Sequence, residues 1–193
     1  MSTAKILAFA GSTRAGSYNK KLVKIAADGA RQAGAEVALI DLRDFPMPLF
    51  DGDLEEASGL PEHARRLKEL MISHHALLLS TPEYNGSITG VLKNAIDWVS
   101  RQEADDEPPL VAFRGKAGAL VSASPGGFGA SRSLAQVRTI LTQLGQYIIP
   151  QQVSISRAHE AFDDTGALKE ANSQKSVLEI GASLADFTRK LRT

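Results

Sequence analysis

An apolar run, Ile6-Leu7-Ala8-Phe9-Ala10, passes without a break into Gly11-Ser12-Thr13-Arg14-Ala15-Gly16-Ser17-Tyr18-Asn19, and a helical pattern follows at once. That order restricts the opening of the chain to a buried strand, a sharp turn rich in Gly and hydroxyls, and a helix whose free N–H groups and positive dipole end face the turn. Such a helix start is a cradle for an anion, and Arg14 adds a guanidinium able to pair bidentately with phosphate oxygens. The plain alternative is a strand-to-helix turn in which Ser or Asn caps the helix, because caps use the same residue types. Two better-known phosphate loops are excluded. Gly11 and Gly16 have Walker A spacing, but Ser17-Tyr18 stand where Lys and Ser/Thr are required, and no Gly-x-Gly-x-x-Gly occurs here or around Gly126, Gly127 and Gly129. What remains suits a terminal monophosphate.

With 193 residues, 43% of them hydrophobic, the chain can bury one core and is too short to argue for two, so residues 1–193 are expected to form a single domain. Lys plus Arg and Asp plus Glu each total 22, and this neutral balance gives no footprint for nucleic acid or an anionic membrane as partner. The absence of cysteine excludes disulfides, thiolate metal sites and a cysteine nucleophile, so redox chemistry would have to come from a bound cofactor. The apolar run after Lys5 is too short for a signal-peptide core, and no stretch approaches membrane-spanning length. A soluble, cytoplasmic protein is the expectation.

Apolar, β-rich runs alternate with longer segments of helical period, the signature of a parallel sheet covered on both faces. Strands are expected at Lys5–Ala10, Glu36–Asp41, His75–Ser80, Lys116–Ala123 and Tyr147–Ile155, the last interrupted by Pro150. Helices are expected at about Asn19–Ala33, Pro61–Ile72, Ile88–Val99, Ser131–Leu144 and Leu168–Leu191, with Asp51–Gly59 an acidic loop and Glu103–Pro109 a surface excursion. Five strands with intervening helices make a doubly wound α/β sheet, whose ligands sit beyond the carboxyl ends of the strands near the switch point.

Two more loops would lie beside the first at that edge. Pro82-Glu83-Tyr84-Asn85-Gly86 combines a constrained turn, a flat aromatic face and mixed donors and acceptors; Ser122-Ala123-Ser124-Pro125-Gly126-Gly127-Phe128-Gly129 lets the backbone come close and turn its N–H groups inward. Taken in order, Gly11-Ser12-x-Arg14-x-x-Ser17-x-Asn19, Pro82-Glu83-Tyr84-Asn85-Gly86-Ser87 running into Gly90-x-Leu92-Lys93-Asn94-Ala95-Ile96-Asp97-Trp98, and the Gly-rich loop leading to Arg132 resemble the NAD(P)H-dependent FMN reductase family, nearest its chromate and quinone reductase branch. The likeness covers about three quarters of the chain, and the middle block is its most specific part.

The resemblance implies a flavodoxin-like fold, FMN as cofactor, NADPH or NADH as co-substrate, and a small-molecule electron acceptor. It places Gly11, Ser12, Arg14, Ser17, Tyr18 and Asn19 at the FMN phosphate, Pro82, Glu83, Tyr84 and Asn85 along the isoalloxazine, and Ser124, Gly126 and Gly127 on the ring's other side. Tyr84 would also position the substrate, and no side chain is assigned as a catalytic acid or base. Family members form dimers or tetramers with the flavin near a subunit interface, which Arg101 would approach.

Several residues have plainer readings. Tyr84 reads equally as a packing or interface aromatic, Glu83 as solvent-facing, and Asp97 and Trp98 as structural. The spacing of His63, His74, His75 and His159 supports no metal site, Asp51-x-Asp53-x-Glu55 lacks the remainder of a calcium loop, and Ser122 and Ser124 lack a nucleophile elbow. Two rival functions remain: a flavin-binding electron-transfer module without its own nicotinamide site, and a phosphate-binding hydrolase or transferase.

Overall fold

A computed structural model describes residues 3–192. The strands β1 (Lys5–Ala10), β2 (Glu36–Leu39), β3 (Ala76–Thr81), β4 (Ala117–Ala123) and β5 (Tyr147–Ile155) form one all-parallel sheet in the order β2-β1-β3-β4-β5. Around it lie α1 (Tyr18–Gln32), α2 (Gly52–Ser58), α3 (Glu62–Ser73), α4 (Gly90–Val99), α5 (Ser131–Gln143), a single turn α6 (Ala158–Ala161) and α7 (Ala171–Leu191). This is the flavodoxin-like doubly wound arrangement expected from the sequence.

β3 and β4 are buried at every position, and β1 at every position but Lys5, because both of their faces are covered. Alternate side chains divide them between two cores. Leu7, Phe9, Leu77, Leu79 and Leu120 meet Leu67 and Met71 of α3, Leu92, Ile96 and Val99 of α4, and Leu134, Val137 and Leu141 of α5. Ile6, Ala8, Leu78, Ala119 and Val121 face Leu22 and Ala26 of α1 and Val177, Ile180 and Leu184 of α7. The second core is rich in alanine, so its helices sit close: an ideal Cβ added to Gly29 of α1 would lie 2.0 Å from the Leu178 carbonyl oxygen, and one on Gly181 of α7 would lie 1.8 Å from that of Ala26.

Where expectation and structure differ, a local contact is the reason. Asp51–Gly59 is not a loop: the Asp51 carboxylate accepts the Asp53 N–H at 2.9 Å and caps α2. The last helix starts at Ala171 rather than Leu168, because Glu170 caps it and Leu168 pairs with Phe162 in a small bridge. Pro150 does mark an irregularity: the β4–β5 register runs from Gly118↔Ile148 to Leu120↔Gln152, which an edge strand tolerates.

From β1 the chain steps outward to β2, then returns past β1 to β3 and continues through β4 to β5. The turns after β1 and β3 therefore diverge, opening the carboxyl edge of the sheet at the place where such folds take ligands.

Candidate functional site

The turn after β1 is held from three sides. Gly11 donates its N–H to the Ser80 carbonyl at 2.9 Å, Thr89 Oγ1 donates to the Gly11 carbonyl at 2.6 Å, and Arg43 Nε donates to the Thr13 carbonyl at 2.9 Å. Ser17 occupies the N-cap position of α1 with extended dihedrals, yet its side chain makes no capping hydrogen bond, and the first turn of α1 carries no acidic residue. Elsewhere, Asp51 caps α2, Thr89 accepts from Leu92 N–H on α4, and Glu170 accepts from Asn172 and Ser173 on α7, whereas α3 and α5, like α1, begin without a cap from their own N-cap side chain. The start of α1 thus leaves its dipole end and leading N–H groups without a side-chain acceptor, a setting suited to an anion. Arg14 is exposed above it, while Ser12 and Ser17 are buried in the turn.

The Asn19 side chain is tied to the strand ends. Its Nδ2 donates to the Ala123 carbonyl at 2.8 Å, and its Oδ1 accepts from Ala123 N–H at 3.0 Å and from Ser80 Oγ at 2.8 Å. The buried amide therefore ties the start of α1 to the ends of β3 and β4. Tyr18 stacks on Phe162, with centroids 6.0 Å apart and planes within 10°, and Arg14 lies 5.9 Å from the Tyr18 ring.

The turn after β3 is a tight hairpin. Tyr84 and Ser87 exchange both backbone hydrogen bonds at 3.0 Å, and Asn85 (φ 53°) and Gly86 (φ 77°) supply the two left-handed positions. Asn-Gly is the usual pair for such a turn, so the backbone conformation already accounts for Asn85. Glu83 is not solvent-facing as its sequence context suggests. Its side chain is only 8% exposed; Oε1 accepts from Arg132 Nε at 2.8 Å and Nη2 at 2.7 Å, while Oε2 accepts from Ser133 N–H at 3.4 Å, which places a carboxylate at the otherwise uncapped start of α5. Ser133 Oγ also donates to the Pro82 carbonyl at 2.7 Å. Tyr84, by contrast, is 56% exposed at the tip of the hairpin. Glu83→Gln is expected to lower stability by about 1 kcal/mol through the weakened helix-end contact, and Glu83→Ala by about 2; an unchanged urea midpoint in both variants would show that the pair holds nothing.

The turn after β4 rests on the segment following β5. Ser124 donates its N–H to the Ile155 carbonyl and accepts from Ala158 N–H at its own carbonyl, both at 3.0 Å, and Arg157 N–H donates to the Gly126 carbonyl at 3.2 Å. Ser122 Oγ donates to the Gly129 carbonyl at 2.6 Å and Ser124 Oγ accepts from Gly126 N–H at 3.2 Å, so both hydroxyls hold the loop together. The Gly126 N–H is thereby turned toward its own loop. Gly127 is exposed, as is Phe128, whose ring lies 4.9 Å from the Arg132 guanidinium.

Two struts, Thr89 and Arg43, lie outside the candidate residues read from the sequence. Thr89 stands in an N-cap context that a search for caps would find, but nothing near Arg43 announces a bond to a carbonyl 30 residues earlier. Arg43 is set by the turn after β2, where Asp41 accepts its N–H at 3.0 Å and pairs with Lys20 at 2.5 Å. Partial burial pushes the Asp41 carboxyl up, but the Lys20 hydrogen bond, the Arg43 N–H and the two nearby cations outweigh it and hold the group below its ordinary range. Elsewhere, Trp98 is fully buried with its Nε1 donating to the Pro48 carbonyl at 2.8 Å, and Arg101 pairs with Glu55 at 3.0 Å within its own chain.

The strand ends and helix starts that flank the three turns are thus tied to one another along one edge of the sheet. Together they present a helix start without a side-chain cap beside Arg14, exposed aromatic surface at Tyr84, and backbone groups fixed by side-chain ties. Residues 4–160 match the sequence model of the family described as NADPH-dependent FMN reductase. Among curated proteins, the chain is 37% identical to an NAD(P)H-dependent FMN reductase of Pseudomonas aeruginosa, over 97% of each chain. It is 33% identical to an NAD(P)H:quinone oxidoreductase of Solanum tuberosum, over 97% of this chain and 94% of the relative. Among solved structures, a flavoenzyme NAD(P)H:(acceptor) oxidoreductase from Paracoccus denitrificans superposes with a TM-score of 0.77 at 27% identity, covering 97% of this chain and 98% of the other. An archaeal flavodoxin shares the fold at a TM-score of 0.62 and 10% identity, covering 96% of this chain and 99% of that one. With its fold, its rim of three tied turns and a family match that spans most of its length, the chain belongs to the NADPH-dependent FMN reductase family.

Proposed function

We propose that this protein is an FMN-dependent NAD(P)H oxidoreductase whose acceptors are small molecules such as quinones, free flavins, azo compounds or metal oxyanions. The observation that carries the reading is the uncapped start of α1 beside Arg14, tied to the ends of β3 and β4 by Asn19, to the start of α4 by Thr89 and to the turn after β2 by Arg43. That donor set fits a phosphate monoester: an open helix end, a guanidinium and the hydroxyls of Ser12 and Ser17 around one turn. Bound FMN supplies the redox chemistry, taking a hydride from NADPH or NADH and passing electrons to the acceptor.

The chain's own work is binding and orientation. Ser12, Arg14, Ser17 and the α1 backbone hold the phosphate, with Gly11 and Tyr18 shaping the turn. Asn19 acts through its ties to Ala123 and Ser80 and fixes the cradle relative to β3 and β4. Backbone groups of Pro82, Glu83 and Asn85 line one side of the planar ring, and those of Ser124, Gly126 and Gly127 the other. Tyr84 stands exposed over the opening, where it orients whichever flat substrate is present.

A single open face would serve donor and acceptor in turn, so a ping-pong cycle is expected. Double-reciprocal plots of NADPH oxidation at several quinone concentrations should give parallel lines; lines that intersect would require both substrates on the protein at once. Visible spectra test the reading as a whole. Protein loaded with FMN should be yellow and should bleach when NADPH is added anaerobically, without a partner reductase. A yellow protein that NADPH leaves unbleached would favour an electron-transfer module, although the neutral charge of the chain differs from the acidic balance such carriers tend to have.

No helix among the described residues is long and apolar enough to cross a membrane. A cytoplasmic homodimer or homotetramer completes the proposal, supported by the exposed Tyr84 and Phe128 at the edge of the site.

A further inference from the structure

A groove of about 420 Å³ begins at the cradle turn and runs down the outer side of α1. Ala15, Gly16 and Ser17 form its head, Lys20, Lys21 and Lys24 one wall, and the Asp164–Ala167 turn the opposite wall. From Ser17 to Asp28 at its foot, α1 rises by about 16 Å, at about 1.5 Å per residue.

Its charge is uneven. Lys20 is paired with Asp41 and Asp28 with Arg31. Lys24 is exposed and has no ion-pair partner among the described residues. Lys21 packs its stem against Gly166, with Nζ 5.7 Å from the Phe162 ring. Asp164 is the lining carboxylate left without a cation among the described residues, so two free ammonium groups face one free carboxylate. Lys21 is also coupled to the cradle: Arg14 lies beside Tyr18, Tyr18 stacks on Phe162, and Lys21 closes the column on the far side. A run of ring contacts therefore links Arg14 of the cradle turn to Lys21 in the wall of the groove.

We infer that this groove takes the adenylate end of the dinucleotide, with Lys21 and Lys24 pairing with a 2′-phosphate, so that the protein selects NADPH over NADH. The inference rests on the proposed function, because the nicotinamide end must reach the ring held at the same rim. The volume is that of a small-ligand cleft, and Lys21 and Lys24 lie about one and two helical turns beyond the Ser17 turn that holds the cofactor phosphate, so the two phosphates are held by different side chains. Ammonium groups on flexible stems suit a phosphate monoester that arrives and leaves with every turnover.

The test is calorimetric titration of FMN-loaded protein with adenosine 2′,5′-bisphosphate and with AMP, repeated on Lys24→Ala and on a Lys21→Gln/Lys24→Gln variant. The bisphosphate is expected to bind at least ten-fold more tightly than AMP, and the double variant should remove most of that preference. The ratio of kcat/KM for NADPH to that for NADH should fall by a similar factor, with the change in KM rather than kcat. Equal affinity for the two adenylates in the parent protein, or a preference that survives the double substitution, would overturn the assignment. So would displacement of the bisphosphate by FMN from cofactor-free protein, since it would place the ligand in the cradle. A chain that takes up no FMN overturns the proposed function beneath it; one that loads FMN but treats both adenylates alike overturns only the groove.

Discussion

Gly181→Ala is expected to lower the stability of the fold by about 3 kcal/mol or more, at the upper end of what overpacking a close-packed interior costs. The added methyl would sit 1.8 Å from the Ala26 carbonyl oxygen, 2.7 Å from the Ala30 nitrogen and 2.9 Å from the Ala26 carbonyl carbon. Each of these is backbone of α1, so no rotamer change relieves the clash, and α1 and α7 must move apart by more than an ångström. Gly29→Ala meets the reverse obstacle at the Leu178 carbonyl, 2.0 Å away. The effect reaches function because α1 carries Ser17, Tyr18 and Asn19 at its leading end. A displaced α1 drags Asn19 off Ala123 and Ser80, so FMN affinity should fall along with the urea midpoint. Gly52→Ala is the control: nothing lies within 4 Å of its added carbon, and the position opens a helix, so it should be neutral or slightly stabilising. A Gly181→Ala protein that melts with the parent would show that the two helices are not in contact as described.

Arg14→Ala is expected to weaken FMN binding by roughly 1.5 to 3 kcal/mol, on the scale of a lost charge-assisted contact, which is about ten- to hundred-fold in Kd. Folding should be almost untouched, since Arg14 is exposed and its neighbour Tyr18 keeps its stack on Phe162. Lysine at this position should recover part of the loss, because it restores the charge without the bidentate geometry. Fluorescence titration of flavin measures this directly, and an unchanged Kd would remove Arg14 from the cradle.

Much of this architecture is legible in the residues themselves, because the strongest signals are local. Ala76-Leu77-Leu78-Leu79 can only be a strand buried on both faces, and Ile6–Ala10 followed by Gly11 can only be a strand that stops. The acidic stretch at Asp51–Ser58 reads as loop because its helical character depends on one cap at Asp51 rather than on an apolar stripe, and none of its residues is buried. The site is legible as three turns but not as a set of contacts. Asn19 reads as part of the phosphate turn, but its distant partners at Ala123 and Ser80, 104 and 61 residues away, leave no local signal. Glu83 looks solvent-facing until α5 brings Arg132 and Ser133 against it. Asn85-Gly86 is the exception, a contact with a local signal, since that pair by itself announces a tight hairpin. The pattern is physical: spacing along the chain reports which backbone must turn, whereas the partner of a polar side chain depends on which strand ends lie side by side.

The central claim is that the uncapped start of α1 grips a phosphate ester while the two neighbouring turns hold the attached ring. Titration of cofactor-free protein with FMN and, separately, with riboflavin compares the same ring with and without that ester. One FMN per chain should bind, with riboflavin at least a hundred-fold weaker, as expected when several charge-assisted contacts are removed together. Equal affinity for the two flavins would contradict the account.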